Sequence, residues 1–551
     1  MLSLLTTKSI GEPSGDFRKK LFFLHHLRSP TSTWYQKCYR DHIKSTYKQS
    51  FKEMGHTMKK IKNRPSKKNT SRLQALLDQA IQLQIQKNYL SSEAILQQIL
   101  TIDPNYGPAY HYLALIAKEF GSMDAALALI EKSIELDKKS ADAFYNYGVL
   151  LALLDRLEDA EKAYEIALTL NKNMYAAWFN LANSYFKHHQ YHKVRQALKH
   201  FLKTPNHQTS LYPQIAKYYF DIGDLETSAK ICEKTLQMNI DPSDTLWTFM
   251  NTQQYLQDSD HFLTQVKKAR THQHINSETL TLLIIYQAIA EWQLGLLDAC
   301  QTSIETVKPS IDKLDHNTIN QSLRSYYTFL TQLLLYCKNN PNKKTSNHDI
   351  YLLGDSHSLS NSNQVIHLCN QDYKTTSKLL FGCKAFHLAQ PNNNKFKAAF
   401  NNAIHTIPEH GTIVMMIGEI DCRINEGILP TFKKGGCDLS TLIHDTVSNY
   451  VAFVLSRTKP KNIQVYFYGV PACKRLVDIP DDEMDLLKQV IQIFNQELKH
   501  TAIQSGNKFI DIYQLTVGEN GLSDGRYHID DFHLLPRCIE AAEISYLEPS
   551  T

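Results

Sequence analysis

Between about residues 73 and 240 the apolar positions recur in helical steps, and those steps themselves recur every 34 residues. Asp103-Pro104, Asp137-Lys138 and Asn171-Lys172 mark the same point of successive units, each at the end of a helix. Within the units Tyr110, Phe144 and Trp178 supply an aromatic on the first helix, and Leu113, Tyr147 and Leu181 follow one turn later. The next residues, Ala114, Gly148 and Ala182, are small, so the two helices of a unit can approach closely. Ala126 and Ala160 open second helices, Ala167 with Leu168 forms a packing pair, and Gly121 and Gly223 sit at the turns between helices. A helix pair cannot cover its own apolar face, so such units must stack into a solenoid with a concave surface. Four or five units are well formed, and weaker helical pairs continue toward residue 337.

The pattern changes after residues 338–347, a stretch of turn formers and charge that predicts a linker. From His348 short apolar runs alternate with helical segments. The runs Ile350–Leu353, Lys378–Phe381, Ile413–Ile417, Ile463–Tyr468 and Phe509–Ile512 have the length and β-branched or aromatic content of buried parallel strands. Phe396–Ile407, Leu439–Leu455 and Asp482–Ser505 read as helices between them, and a last helix is expected from about Pro536 to Leu547. This alternation predicts a doubly wound α/β sheet, whose ligands collect at the carboxyl ends of the strands.

Length and charge refine this division. With 551 residues and 42% hydrophobic content the chain can bury more than one core. The net charge of +5 is misleading, because residues 1–70 hold 16 Lys and Arg against 4 Asp and Glu, which leaves residues 71–551 at −7. Residues 1–70 read as a basic, disordered extension, 71–337 as the solenoid and 348–551 as the α/β domain. The acidic body argues against nucleic acid as a partner. No apolar run reaches the ~20 residues of a membrane span, and the N-terminus lacks the apolar core of a signal peptide. The ten cysteines are scattered without a CxxC pair or zinc spacing, which favours a reducing, cytoplasmic setting with neither metal nor cofactor. No Walker or dinucleotide fingerprint occurs.

The repeated units resemble tetratricopeptide repeats, which implies a protein or peptide partner in the concave groove. Asn146, Asn180 and Asn183 fall on the first-helix face that lines the groove in such repeats, where they either bind the backbone of an extended peptide or are solvated polar residues. His188, His189 and His192 have helical spacing but fall at a repeat turn, which favours an exposed polar turn over a metal site.

In the second region the first predicted strand runs into Gly354-Asp355-Ser356-His357, and the chain closes on Asp530-Asp531-Phe532-His533. A serine on a strand-to-helix turn has its amide at a helix N-terminus, where an oxyanion is stabilised. A histidine can take that serine's proton if an acceptor such as Asp530 holds its other nitrogen. His528 is the alternative base. The plain structural alternative is that Asp530 or Asp531 caps the last helix and His533 packs on it.

Together these blocks resemble the GDSL or SGNH hydrolases, over roughly residues 348–548. The resemblance implies a three-layer α/β/α sandwich with Ser356 as nucleophile, His533 as general base and Asp530 as its orienting partner. It also implies a glycine amide as oxyanion donor, a role that Gly382 fits, as it equally fits that of a turn residue at a helix start. The expected activity is that of a serine esterase or acyl transferase, with an acyl ester substrate such as an O-acetylated glycan. The sequence departs from the family at two places. Ile420, in Gly418-Glu419-Ile420-Asp421-Cys422-Arg423, stands where an asparagine should donate to the oxyanion, and His357 follows the serine where leucine is usual. Arg423 either binds an oxyanion or substrate carboxylate in compensation, or pairs with Glu419 and Asp421 in a structural network. The missing donor also admits a scaffold without catalysis, in which the repeats recruit proteins and the α/β domain binds a ligand.

Overall fold

The computed structural model describes residues 67–546 apart from 206, 239–241, 257, 273–274, 314–317 and 342–343. Nearly all of the basic extension therefore lies outside the described residues. Two compact units divide between His207 and Gln208.

Among the described residues the first unit contains four helix pairs: α1 (Lys67–Ile85) with α2 (Tyr89–Ile102), α3 (Gly107–Glu119) with α4 (Met123–Leu136), α5 (Ala141–Leu153) with α6 (Leu157–Leu170), and α7 (Tyr175–Lys187) with α8 (Tyr191–Lys203). The second helices α2, α4 and α6 end at 102, 136 and 170, which is the 34-residue period. Gly148 explains the small position. A Cβ there would lie 2.6 Å from the buried ring of Tyr164 on α6. Lys87, Gly121, Asp155 and His189 all adopt positive φ at the same point of successive units. The following amide reaches back five residues to close each helix, as in Ser122 to Ala117 and Gln190 to Tyr185, both 2.9 Å. His189 is thus a helix terminator, in agreement with a polar turn. The groove asparagines are engaged: the Asn146 amide lies 2.8 Å from His111 Nε2 and that of Asn180 donates to Tyr145 Oη at 3.2 Å.

The second unit joins the later helices to the sheet. Its helices are α9 (Tyr212–Asp221), α10 (Leu225–Leu236), α11 (Ser243–Leu256), α12 (Ser259–Ala269), α13 (Ser277–Gln293), α14 (Leu297–Val307) and α15 (Thr318–Asn339). Residues 338–347 thus mark a change of element type rather than the border of a compact unit. The reason is packing: Phe220, Leu225 and Tyr255 belong to the same apolar core as the sheet. Trp292 on α13 donates its indole N–H to Leu359 C=O at 3.0 Å.

The sheet has seven strands: β1 (Asp349–Gly354), β2 (Val365–Leu368), β3 (Gln371–Leu379), β4 (Thr412–Met416), β5 (Gln464–Tyr468), β6 (Lys508–Asp511) and β7 (Glu543–Ser545), in the order β2-β3-β1-β4-β5-β6-β7. Four of the five expected strands lie where expected to within a residue, and the second runs over Gln371–Leu379, sharing only Lys378 and Leu379 with the expected run; all five are mutually parallel. β2 and β7 are antiparallel edges. Between the strands lie α16 (His357–Ser360), α17 (Ala385–Ala389), α18 (Lys395–Thr406), α19 (Ile428–Lys433), α20 (Leu439–Thr458), α21 (Asp481–Gln504) and α22 (Ile512–Thr516).

Alternate strand residues feed two cores. Leu353, Ile413, Met415, Phe467 and Phe509 face α18, α20 and α21. Leu352, Val414, Met416, Tyr466 and Ile510 pack instead with Leu534, Cys538 and Ile539. The final helix expected from Pro536 to Leu547 is therefore absent. Arg537 takes positive φ, a single 3₁₀ turn spans Cys538–Ala541, and Glu543–Ser545 pairs with β6, because Ile539 and Ile544 are spent covering the second face.

Candidate active site

From β1 the chain passes to β2 and β3 on one side and then crosses back to β4 on the other, so the loops after the neighbouring parallel strands β3, β1 and β4 converge at their carboxyl ends. They bring together Ser356 from β1, Gly382 from β3, and Ile420 with Arg423 from β4. All four line a single cavity of about 650 Å³, together with His533.

Gly354, the last residue of β1, is required by its close approach to β4. A Cβ on it would lie 2.2 Å from the carbonyl oxygen of Met416. Two residues on, Ser356 is the N-cap residue of α16 and is 8% exposed. His533 Nε2 lies 2.7 Å from Ser356 Oγ, and His533 Nδ1 lies 2.7 Å from Asp530 Oδ2. The other oxygen of Asp530 accepts the backbone N–H groups of Phe532 at 2.8 Å and His533 at 2.7 Å. Burial of Leu534 in the second-face core fixes the chain just after His533.

The ring of Phe329, on α15, stacks on His533 with 3.8 Å between centroids, and His533 is 7% exposed. Burial pushes its pKa below the usual histidine value and nearby His357 pushes the same way, against the opposing pull of Asp530. Burial alone would raise Asp530, but the bonds from the His533 ring and the two amides outweigh it and bring its pKa to about 2. A neutral imidazole held by a carboxylate beside a hydroxyl is suited to accept the hydroxyl's proton. His528 is not joined to Ser356; its Nδ1 lies 3.1 Å from Ser523 Oγ, and burial lowers its pKa to about 4.

Gly382 has φ +65° and occupies the third position of a turn closed by Cys383 N–H to Leu380 C=O at 2.9 Å. Such turns require positive φ at that position and leave the amides of the two central residues outside their own hydrogen bond. Tyr255, on α11, donates its hydroxyl to Phe381 C=O at 2.7 Å and so holds the peptide that ends in the Gly382 N–H.

In the block after β4 the carboxylates separate. Glu419 receives Arg423 Nε at 2.9 Å and Nη2 at 2.7 Å, while Arg423 Nη1 lies 3.6 Å from Glu426 and the guanidinium sits over the Phe532 ring. Asp421 accepts the first amides of α17, Ala385 at 2.7 Å and Phe386 at 3.0 Å. The network thus holds Glu419, not Asp421, with Arg423. Ile420 is 8% exposed, and its side chain brings the cavity no polar atom.

Sequence reasoning missed Tyr255, Phe329 and Tyr326, the last of which stacks on Phe381 at 4.7 Å. They lie in helices whose pattern spoke only of weak repeats. The positive φ at Gly382 needs glycine, and that was the one available signal of a special turn.

Among proteins of known kind, the tetratricopeptide repeat family matches residues 107–140 and 129–162. A TPR repeat-containing protein of Methanocaldococcus jannaschii is 31% identical over 118 residues, 21% of this chain and 21% of that one. Human tetratricopeptide repeat protein 6 is 30% identical over 101 residues, 18% of this chain and 19% of its own length. The matched region therefore spans about a fifth of either relative. Among solved structures, Pseudomonas aeruginosa pilF aligns with 37% of this chain and 94% of its own, at 18% identity and a TM-score of 0.33. YrrB, a TPR protein with an unusual peptide-binding site, aligns with 36% of this chain and 97% of its own, at 14% identity and a TM-score of 0.29. No described helix is long and apolar enough to cross a membrane. Residues 107–162 carry tetratricopeptide repeats, a module that binds proteins.

Proposed function

We propose that this chain is a serine esterase or acyl transferase of the SGNH type whose repeats bind a protein or peptide partner. The observation that carries the reading is the relay Asp530–His533–Ser356, with both links at 2.7 Å, opening on a cavity that also holds the turn of Gly382.

In this reading Ser356 Oγ attacks an ester carbonyl as its proton passes to His533 Nε2. The carbonyl oxygen gains the negative charge and is held by the amides of Gly382 and Ser356. Collapse of the tetrahedral intermediate breaks the ester C–O bond, and His533 returns the proton to the departing alkoxide. Water, or the hydroxyl of an acceptor, then attacks the acyl-serine with His533 again as base. Asp530 keeps the ring oriented and stabilises the imidazolium formed at each step. The cavity far exceeds an acetyl group, so an O-acetylated glycan is the substrate class we would assay first. Nine described cysteines are all free, in keeping with a cytoplasmic, reducing setting.

The test is labelling of the full chain by a fluorophosphonate probe. Wild type is expected to label, and Ser356→Ala and His533→Ala are expected not to. A second reading, a scaffold without catalysis, is favoured by Ile420 and by the engagement of Arg423 with Glu419, which leave the oxyanion to backbone amides alone. A folded wild type that does not label decides for the scaffold.

A further inference from the structure

Beside the relay lies a second histidine that the proposed chemistry does not use. His357 directly follows the serine and is 3% exposed. Its Nδ1 lies 2.9 Å from Asp355 Oδ1, and its Nε2 lies 3.0 Å from the backbone carbonyl oxygen of Phe532. A carboxylate and a carbonyl only accept hydrogen bonds, whereas a neutral imidazole carries one N–H. A neutral ring would therefore aim a lone pair at one of these oxygens. The remaining way to satisfy both contacts, a proton on Asp355, is opposed by the intrinsic preference of imidazole over carboxyl by about two to three pKa units.

Asp355 points the same way. It is 1% exposed, its Oδ2 has no hydrogen-bond partner, and its Oδ1 receives only the N–H and the ring of His357. A buried carboxylate so poorly provided with donors needs an adjacent cation. Asp355, His357 and Glu419 place ligand atoms within 4.8 Å of one another, as a metal site would. With both ring nitrogens turned to acceptors, His357 has no lone pair for a metal, and the cluster reads as an ion pair instead.

We propose that His357 is a charged imidazolium that acts as a positioning residue: it straps the loop of His533 to the turn of Ser356 and keeps His533 in its neutral, proton-accepting form. The strap is the bond to Phe532, the residue before His533, made by the residue after Ser356. The electrostatic effect follows from the 4.9 Å between the two ring centroids. A cation at that distance, shielded from water, disfavours a second one.

The other groups around His533 do not cancel this. Asp530 opposes it and is part of the relay. Glu419 also favours a charged His533, but its carboxylate is neutralised by the two-point contact with Arg423. Phe329 and Tyr326, from α15, bring a ring and an un-ionised phenol, and burial with Lys474 and His357 keeps His528 uncharged. The pKa of His357 itself lies at about 9, because Asp355 outweighs the opposing effect of burial. The half of the proposal that concerns His533 rests on the catalytic reading above; the charge on His357 does not.

The experiment measures the fluorophosphonate labelling rate of the full chain against pH for wild type, His357→Gln and His357→Leu. Glutamine can still donate to Phe532 C=O but carries no charge, while leucine loses both. In wild type the rate is expected to hold until the pH falls below the usual histidine value. In both variants the midpoint is expected to rise by about one pH unit or more, since removing the cation and exposing His533 to Asp355 both raise its pKa. The alkaline plateau stays within about threefold in His357→Gln and falls about tenfold in His357→Leu, where the strap is gone. An unchanged midpoint in a folded His357→Gln overturns the proposal. Neutron crystallography of the wild type at pH 7.5 tests the charge without any variant: deuterium on both ring nitrogens is expected, and deuterium on one alone refutes it. If wild type labels at no pH, the catalytic reading falls while the neutron result still decides the charge.

Discussion

Replacing Tyr255 by phenylalanine removes a single oxygen atom at the far side of the turn that carries Gly382. The ring itself stays packed, stacked on Phe220 at 5.7 Å and tilted against Phe396 at 6.4 Å. What is lost is the 2.7 Å bond to Phe381 C=O. That carbonyl and the Gly382 N–H are the two ends of one planar trans peptide and point in opposite directions, so fixing one fixes the other. The turn keeps its bond from Cys383 N–H to Leu380 C=O and the Tyr326 ring on Phe381, but a Cβ built on Gly382 would meet nothing within 4 Å, so Gly382 itself has no packing there to replace the lost bond. A neutral hydrogen bond contributes about 0.5–1.5 kcal/mol net, and a carbonyl left unpaired in a buried site adds about 1–3 kcal/mol of cost. A peptide released by that much spends part of its time rotated away from the oxyanion. Complete loss of one such donor costs ~10²–10³ in rate, so Tyr255→Phe should lower kcat about 10- to 100-fold with KM within about threefold. Stopped-flow acylation with a chromogenic acyl ester, alongside thermal unfolding to confirm a folded variant, reads this directly. A folded Tyr255→Phe with unchanged kcat would show that the Gly382 amide is not an oxyanion donor or is not held from behind by Tyr255.

Two other substitutions probe the relay and its gap. Asp530→Asn keeps the backbone amides bonded but presents the ring of His533 with an amide that favours the wrong tautomer; kcat should fall by ~10⁴, measured by steady-state hydrolysis, with the fold retained by circular dichroism. Ile420→Asn places an amide on the cavity wall where only an apolar chain now stands, and kcat should rise about tenfold in the same assay.

The parts legible in the sequence were those fixed by short-range repetition or by chemistry that admits few residue types. The 34-residue period set the helix ends at 102, 136 and 170 because each unit solves the same packing problem. Ser356, Asp530 and His533 were legible as a set, since an acceptor three residues before a histidine can turn back on it. The rest depended on distant contacts. β2 and β7 are edge strands, with exposed His367 and Glu543 interrupting their apolar pattern, so neither gave a buried-strand signal. The stretch after Pro536 has good local helix formers, but Ile539 and Ile544 are required on the second face of the sheet, and tertiary demand overrode propensity. The metal-like cluster at Asp355, His357 and Glu419 was invisible because its third member comes from the loop after a different strand.

The largest departure, the border between compact units, has a consequence that truncation exposes. Cutting at the linker would leave residues 348–551 without α9 to α15. That fragment would uncover the core positions occupied by Phe220, Leu225 and Tyr255. It would also lose the Trp292 bond to Leu359, the Tyr255 bond to Phe381 and the Phe329 ring over His533. Each loss falls on a different wall of the site: the helix after the nucleophile, the turn of Gly382, and the face of the base. Burial of one large apolar side chain contributes about 1.5–3 kcal/mol, and a domain's whole stability is about 5–15 kcal/mol. Loss of several such side chains together is therefore enough to prevent folding. Residues 208–551 should unfold cooperatively and label with fluorophosphonate at the rate of the full chain, whereas 348–551 should aggregate or fail to label. A soluble 348–551 fragment that labels at the full rate would show that the helices after residue 207 shelter the site without building it.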